Sequence, residues 1–270
     1  MEQIDISIII TTRNEERHIA SCLESVHSQD FPAKKMETIV VDNASSDRTK
    51  EVSREFTPLI FNHGPERAAQ RNFGIERARG KYILYLDADM TLGDGLLTGC
   101  LEKCEREALA GLYIPERVVG EGIWIRVRDF ERGFYDGTCV DAVRFVRRET
   151  AREIGGFDEH LNGPEDWDFD RRLRRTGPVG MVDIPLFHNE GRFNLRRYLQ
   201  KKRYYSRGFA DYIAKWGRTD PEIRKQFGFA YRYIRVFLER GKWRMLIGHP
   251  ILAGGMLILR LAVGIIYLGS

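Results

Sequence analysis

Asp87 and Asp89 stand two residues apart, directly after the apolar run Tyr82-Ile83-Leu84-Tyr85-Leu86. Two carboxylates so placed at a strand end face one hard cation, and Mg²⁺ or Mn²⁺ favours oxygen ligands of this kind and readily bridges a diphosphate. An acid-x-acid pair is common; its place at the end of a strand singles this one out. Two other apolar runs end in the same way. Ile6 to Ile10 leads into Thr11-Thr12-Arg13-Asn14-Glu15-Glu16, and Thr38 to Val41 leads into Asp42-Asn43-Ala44-Ser45-Ser46-Asp47. Turns and helix caps favour Asp and Asn for their own reasons, which explains any one of these loops more easily than all three.

The elements that must position these residues alternate. Ile6–Ile10, Thr38–Val41, Leu59–Phe61 and Tyr82–Leu86 predict short buried strands. Glu16–Ser28, a helix opening at Ser46-Asp47, and Glu66–Ala78 fall between them. Strands separated by helices of this length imply an α/β fold, a Rossmann-like domain with a mostly parallel central sheet and helices on both faces. Ligands of such sheets bind beyond the carboxyl ends of the strands, where the acids lie. Further on, Leu96–Glu107 reads as a helix, Ala142–Arg147 as a strand and Glu165–Arg175 as a helix. From Leu195 to Arg240 the sequence is helical, basic and aromatic, with no strand signal. A soft boundary near residue 192 divides a domain at 1–192 from a helical region at 193–270.

Several classes are excluded or disfavoured. No Gly-x-Gly-x-x-Gly follows the first strand, which counts against a nicotinamide or flavin oxidoreductase, and no Walker loop with its lysine is present. With 43% apolar and 30% charged residues in 270, the chain buries a sizeable core and is neither a disordered tail nor a coiled coil. A net charge of +4 is too small to argue for nucleic acid. Cys22, Cys100, Cys104 and Cys139 form neither a disulfide framework nor zinc spacing, so a reducing compartment is expected, with Cys100 and Cys104 as ordinary packing residues. The run Ile4–Ile10 lacks a basic n-region and a cleavage site, so it is not a signal peptide.

Taken together, several strings resemble family 2 glycosyltransferases with the GT-A fold. They are Ile8 to Glu16, Val40 to Thr49, Ala69-Gln70-Arg71-Asn72-Phe73-Gly74, Gly80 to Asp89, and the later Gly155-Gly156-Phe157-Asp158-Glu159 and Glu165-Asp166-Trp167-Asp168. Order and spacing match over roughly residues 4 to 190; the remainder is not covered in the same way. The resemblance implies that Thr12, Arg13, Glu15 and Asp42 hold the nucleotide and that Arg71 lies near the ribose or diphosphate. It implies Asp89 as a direct metal ligand, Asp87 nearer the ribose or a metal-bound water, and Asp166 as catalytic base. His188, in Pro185-Leu186-Phe187-His188-Asn189, sits where a histidine often completes the metal shell; otherwise it is a satisfied loop histidine. The implied activity is transfer, with inversion, of one sugar from a nucleoside-diphosphate sugar, with Mn²⁺ or Mg²⁺ as cofactor. A uridine nucleotide is expected only on general frequency. Elementary chemistry agrees: a cation neutralises the leaving diphosphate, and a base near the incoming hydroxyl accelerates transfer by roughly 10²–10⁴-fold. Asp166 follows the turn Gly163-Pro164 and opens a helix, whose dipole favours a charged carboxylate; a plain N-cap is the alternative. Two other functions remain open, a catalytically silent GT-A nucleotide-binding module and a nucleotidyltransferase. The latter calls for a glycine- and lysine-rich loop that Thr11–Glu16 is not.

Residues 245–268 are apolar and approach the length of a membrane span, but Arg260 near the middle costs about 2.5–3.5 kcal/mol on insertion scales. Gly248, Pro250, Gly254 and Gly255 suggest two short helices that dip into a membrane and return. Arg232, Arg235, Arg240, Lys242 and Arg244, among Tyr231, Tyr233 and Trp243, suit an anionic interface. Docking of this tail on the catalytic domain or on a second subunit is the alternative. Trp124, Val127, Phe130 and Phe134 fall on one helical face, either a second lipid contact or a core-facing helix. The expected partners are thus a nucleotide sugar, a lipid-linked or glycan acceptor and the cytoplasmic face of a membrane, held through the C-terminal region.

Overall fold

Every residue of β1 (Ile6–Thr12) is buried, so its side chains form an unbroken β-branched run instead of an alternating one. β1 runs parallel to β2 (Met36–Asp42) on one side and to β4 (Tyr82–Asp87) on the other. The helices α1 (Ile19–His27), α2 (Thr49–Arg54) and α3 (Arg67–Arg77) lie between successive strands, and β3 (Ile60–Asn62) adds in parallel to β2. The register places Thr12 opposite Asp42 and Thr11 opposite Asp87, so the acid-bearing ends finish level. The computed structural model describes residues 3–268.

The chain continues through β5 (Met90–Leu92), α4 (Leu96–Glu107), β6 (Gly111–Tyr113), β7 (Glu116–Glu121), α5 (Ile123–Arg132), β8 (Phe145–Arg147), α6 (Arg148–Glu153), α7 (Glu165–Leu173), β9 (Val179–Met181) and β10 (Leu186–Arg192). One sheet has the order β3-β2-β1-β4-β8-β6-β9, and a smaller one the order β5-β10-β7. β8 is antiparallel to both β4 and β6. The architecture is thus the expected mixed α/β fold with a mostly parallel central sheet. Alternation along β1 sends Ile8 and Ile10 to a core with Leu23, Val26 and Leu97, and Ile9 to a core with Ile75, Tyr85 and Phe169 on the other face.

Two helix starts differ from expectation. α1 begins at Ile19, not Glu16, and α2 at Thr49, not at Ser46-Asp47. The intervening residues lace two loops together instead. The Ser45 hydroxyl accepts from the Asn14 amide (2.8 Å), the Asn14 side chain accepts from the Ser46 amide (2.9 Å), and the Thr49 hydroxyl accepts from the Glu15 amide (2.8 Å). The strands β5, β6 and β9 carried no sequence signal because three residues are too few to show a period.

After β10 the chain is helical: α8 (Leu195–Ser206), α9 (Phe209–Trp216), α10 (Pro221–Phe227), a wide turn at Tyr231–Arg235, α11 (Val236–Leu238), α12 (Trp243–Gly248) and α13 (Pro250–Leu268). The tail is therefore one continuous helix from Pro250, not two short ones. Among the described residues no helix is long and apolar enough to cross a membrane. Gly255 does not break α13; it lets the helix approach α5, since a Cβ there would stand 2.7 Å from a Val127 methyl. Met256 and Leu259 join Val127, Phe130, Phe134, Tyr231 and Phe237 in a third buried cluster. Val127, Phe130 and Phe134 are thus core-facing, covered by the tail, while Trp124 stays exposed.

Arg260 is the central correction. It is 6% exposed and points into the protein, not outward. Its guanidinium donates to Glu131 (3.0 Å), to the Tyr135 hydroxyl and to the Arg232 carbonyl, and lies over the rings of Tyr233 and Phe237. Burial pushes the Glu131 carboxyl up, but Arg128 and then Arg260 outweigh it and hold the group at about 2. A carboxyl depressed in the folded state adds stability above its unfolded value, and that stability is lost as pH falls from about 4.5 towards 2. We expect E131Q to flatten this acid limb. We expect R260M to lower stability by roughly 2–3 kcal/mol, less than a fully broken buried pair because Arg128 stays on Glu131. Urea denaturation of both variants from pH 3 to pH 7 checks both.

Candidate active site

One cavity of about 1680 Å³ opens along the carboxyl edge of the central sheet and runs beneath the C-terminal helices. Thr12, Arg13, Glu15, Asp87, Asp89, Asp166 and His188 all line it. Two of the expected residues do not. Asp42 is wholly buried, accepting from the Ser45 amide (2.8 Å) with Lys50 at 3.8 Å, and Arg71 is wholly buried beneath the floor.

Arg71 joins the two halves of the site. It comes from α3, whose Gly74 sits directly against Ile9 of β1. One nitrogen donates to Asp166 (2.5 Å) and another to Asp87 (3.2 Å), while the guanidinium lies over Tyr85 and Phe157 at 4.8 and 5.1 Å. Its side chain, with no exposed surface, therefore braces the acid of the sheet edge and the acid of α7. Arg67, one turn earlier, holds Asp87 (3.5 Å) and Glu165 (3.1 Å). Burial pushes the Asp87 carboxyl up, but Arg71, Arg67 and Arg144 outweigh it and hold it well below the usual carboxylate range.

Asp166 lies in the first turn of α7 beside Glu165 and Asp168, where backbone amides point outward and favour negative charge. The approach to that turn depends on Gly163. Its φ is +104°, and a Cβ there would stand 2.5 Å from the Tyr205 carbonyl of α8. α8 thus packs directly over the helix start that presents Asp166.

On the other side of the cavity, strand register brings Asp89 and His188 together. β10 pairs antiparallel with β5 so that His188 faces Met90, and the Asn189 amide donates to the Asp89 carbonyl (2.8 Å). His188 Nε2 then stands 3.1 Å from Asp89 Oδ2, and His188 Nδ1 stands 3.0 Å from Glu116 Oε1. Burial pulls the His188 pKa down, but hydrogen bonds to Asp89 and Glu116 outweigh it and raise it to about 10, so without a cation both ring nitrogens donate. Glu116, held by Arg144 (3.0 Å), orients the imidazole from behind, as a carboxylate commonly does for a metal-ligating histidine. Asp89 Oδ1 is buried without any hydrogen-bond partner among the described residues. That orphaned oxygen and the imidazole beside it form an oxygen-plus-nitrogen pair suited to a small divalent cation. Among the described residues no group of three or more His, Cys, Asp or Glu side chains converges as a metal cage.

The expectation for His188 is corrected in one respect: it is a strand residue within β10, not a loop residue. Glu116, Arg67 and Arg144 escaped the sequence reading. Their partners lie 20 to 98 residues away, and no local spacing announces such pairs.

The sequence model of glycosyl transferase family 2 matches residues 7–156, and the chain belongs to that family. Among curated relatives, glycosyltransferase AglE of Haloferax volcanii is 41% identical over 91 residues, 31% of this chain and 30% of that protein. A dolichyl N-acetyl-α-D-glucosaminyl phosphate 3-β-D-2,3-diacetamido-2,3-dideoxy-β-D-glucuronosyltransferase of Methanococcus voltae is 30% identical over 204 residues, 64% of this chain and 62% of that one. The chain therefore spans less than two thirds of either relative. Among solved structures, a mannosyltransferase of Pyrobaculum calidifontis in complex with GDP-Man and Mn²⁺ superposes with a TM-score of 0.62 at 19% identity, covering 97% of this chain and 76% of that one. At that identity the likeness shows a shared fold.

Arg71 generates a direct test. We expect R71Q to cost roughly 3–5 kcal/mol, the usual result of removing one partner from a buried ionic group. We expect R71K to recover only part of it, because one ammonium cannot reproduce a fork on two carboxylates. Thermal and urea denaturation of the two variants checks both expectations.

Proposed function

We propose that this member of glycosyl transferase family 2 moves one sugar from a nucleoside-diphosphate sugar to an acceptor hydroxyl, with inversion, aided by a divalent cation. The observation that carries the reading is a single cavity with the Asp89–His188 pair and its orphaned oxygen on one side and Asp166 at a helix start on the other. Asp89 and His188 would hold Mn²⁺ or Mg²⁺, which supplies Lewis-acid neutralisation of the departing diphosphate. Thr12 and Glu15, at the ends of laced loops, offer polar groups to the nucleotide, and the buried Thr12 hydroxyl has no hydrogen-bond partner among the described residues. Arg13 is exposed at the rim of the same edge. Asp87, kept ionised by its arginines, suits a ribose hydroxyl. Asp166 accepts the proton of the attacking hydroxyl, and Arg71 fixes its position.

The acceptor we favour is lipid-linked. The Methanococcus voltae relative is named for a dolichyl-phosphate sugar, and this chain carries a surface suited to a membrane. While Met256, Leu259 and Arg260 of α13 face the protein, Ile251, Ile258, Leu261 and Ile265 are 60–79% exposed along its other side. Ile247 of α12 extends the stripe, and Arg240, Lys242 and Arg244 flank it. An apolar stripe with basic flanks suits a helix lying in an anionic interface. Attachment at the cytoplasmic face, through a helical region that follows a catalytic portion ending near residue 192, accords with the free thiols Cys22, Cys100, Cys104 and Cys139.

Two substitutions separate the roles. We expect D89N to abolish Mn²⁺-dependent binding of UDP and GDP, read by thermal shift, while the protein still folds. We expect D166N to keep that binding and lose roughly 10²–10⁴-fold in kcat. Unchanged cation-dependent nucleotide binding in D89N would overturn the site assignment. For the membrane, we expect the full chain to float with anionic liposomes and a variant with serine at 251, 258, 261 and 265 to remain below. Equal flotation of the two would place attachment elsewhere.

A further inference from the structure

The cavity does not end at Asp166. It continues to a second wall made by α5, α8, the turn at Tyr231–Arg235 and α13, and that wall is basic. Arg128, Arg132, Lys201, Lys202, Arg232 and Arg260 line it, against Glu131, Asp141 and Glu190. The acids are already engaged. Arg128 bridges Glu131 (2.9 Å) and Glu190 (3.1 Å), Arg260 adds to Glu131, and Arg132 holds Asp141 (2.9 Å). Among the described residues, Lys201, Lys202 and Arg232 have no carboxylate within ion-pair distance. The Lys202 ammonium lies 5.4 Å from the Tyr198 ring, and the Arg232 guanidinium 5.5 Å from the Tyr135 ring. Burial first, and Arg128 next, pull Lys202 down to about 7, with Glu131 opposing them; Arg232 and Lys201 add to the repulsion. Lys202 and Arg232, gathered in one recess without a direct ion pair, favour an anion.

We propose that Lys202 and Arg232, with Lys201, seat the phosphate of the acceptor, a lipid phosphate ester whose chain leaves past Phe193, Tyr233 and Val263. A phosphate brings its negative charge to these cations as one compact group, and charge-assisted hydrogen bonds are the strong ones. Phe193, Tyr233 and Val263 line the same recess and continue towards α13, whose outer stripe is apolar. The seat lies along the cavity from Asp166, so an acceptor whose lipid phosphate also carries a sugar can present a hydroxyl of that sugar to the base. The word acceptor rests on the transferase reading; the anion seat itself does not.

The test uses the full chain and three probes: farnesyl phosphate, farnesol and inorganic phosphate, each by calorimetry, with UDP or GDP plus Mn²⁺ as a separate readout of the donor edge. We expect farnesyl phosphate to bind roughly tenfold or more tightly than either of the others. We expect K202Q/R232Q to lose about that factor for farnesyl phosphate, with K202R/R232K recovering most of it. Farnesol binding as tightly as its phosphate overturns the seat, and so does equal binding of farnesyl phosphate by the native and K202Q/R232Q proteins. Inorganic phosphate binding as tightly as the ester overturns the lipid assignment in favour of a free anion. Should K202Q/R232Q fail to fold, the three-probe comparison on the native protein decides. Loss of nucleotide binding in the native protein, with farnesyl phosphate still bound, would count against the transferase reading alone.

Discussion

A guanidinium with no exposed surface holds this molecule's chemistry in register. Arg71 lies between the sheet edge and α7, and its two donor nitrogens reach Asp87 and Asp166 at once. A buried cation is costly unless its hydrogen bonds are met, and here they fix two acids that belong to elements far apart in the chain. Neither acid is placed by its own element alone. Asp87 ends a strand whose register is set by β1, and Asp166 begins a helix whose approach is set by Gly163 against α8. The arginine ties the two placements into one distance.

The opposite side of the cavity is built by different means. There the register of β5 against β10 sets Asp89 beside His188, and Glu116 turns the ring from behind. One half of the site is thus fixed by a buried salt bridge and the other by strand pairing. Both converge on the open carboxyl edge common to doubly wound sheets.

Much of this was legible in the sequence. The buried strands β1, β2 and β4 announce themselves by continuous β-branched or aromatic runs, and the polar residues that follow them do lie along one edge. Asp87, Asp89, Asp166 and His188 meet in one cavity as their positions suggested. What was not legible has a common physical character: it depends on partners remote in sequence. Glu116 serves His188 across 72 residues, and Arg260 serves Glu131 across 129. Read along the chain, Arg260 is an expensive charge inside an apolar segment. Read in the fold, it is a buried guanidinium bonded to Glu131, Tyr135 and the Arg232 carbonyl. For Arg71, likewise, nothing in a local string shows that an arginine expected near the ribose or diphosphate is buried between Asp87 and Asp166. The polar loops after β1 and β2 proved partly self-serving, since Asn14 bonds Ser45 and Ser46, and Thr49 bonds Glu15 and Asp47.

Arg260 also sets the angular position of α13. Held by Glu131, Tyr135 and the Arg232 carbonyl, the helix cannot roll about its axis without dragging a guanidinium out of its socket. Each residue of an α-helix turns about 100°. A single-residue insertion between Pro250 and Arg260 would therefore swing the flanking segments against each other by more than a quarter turn. Either the charge or the apolar stripe would then face the wrong medium. The segment is a keyed shaft: its length can drift over evolution only in steps that return the key to its slot, about seven residues at a time.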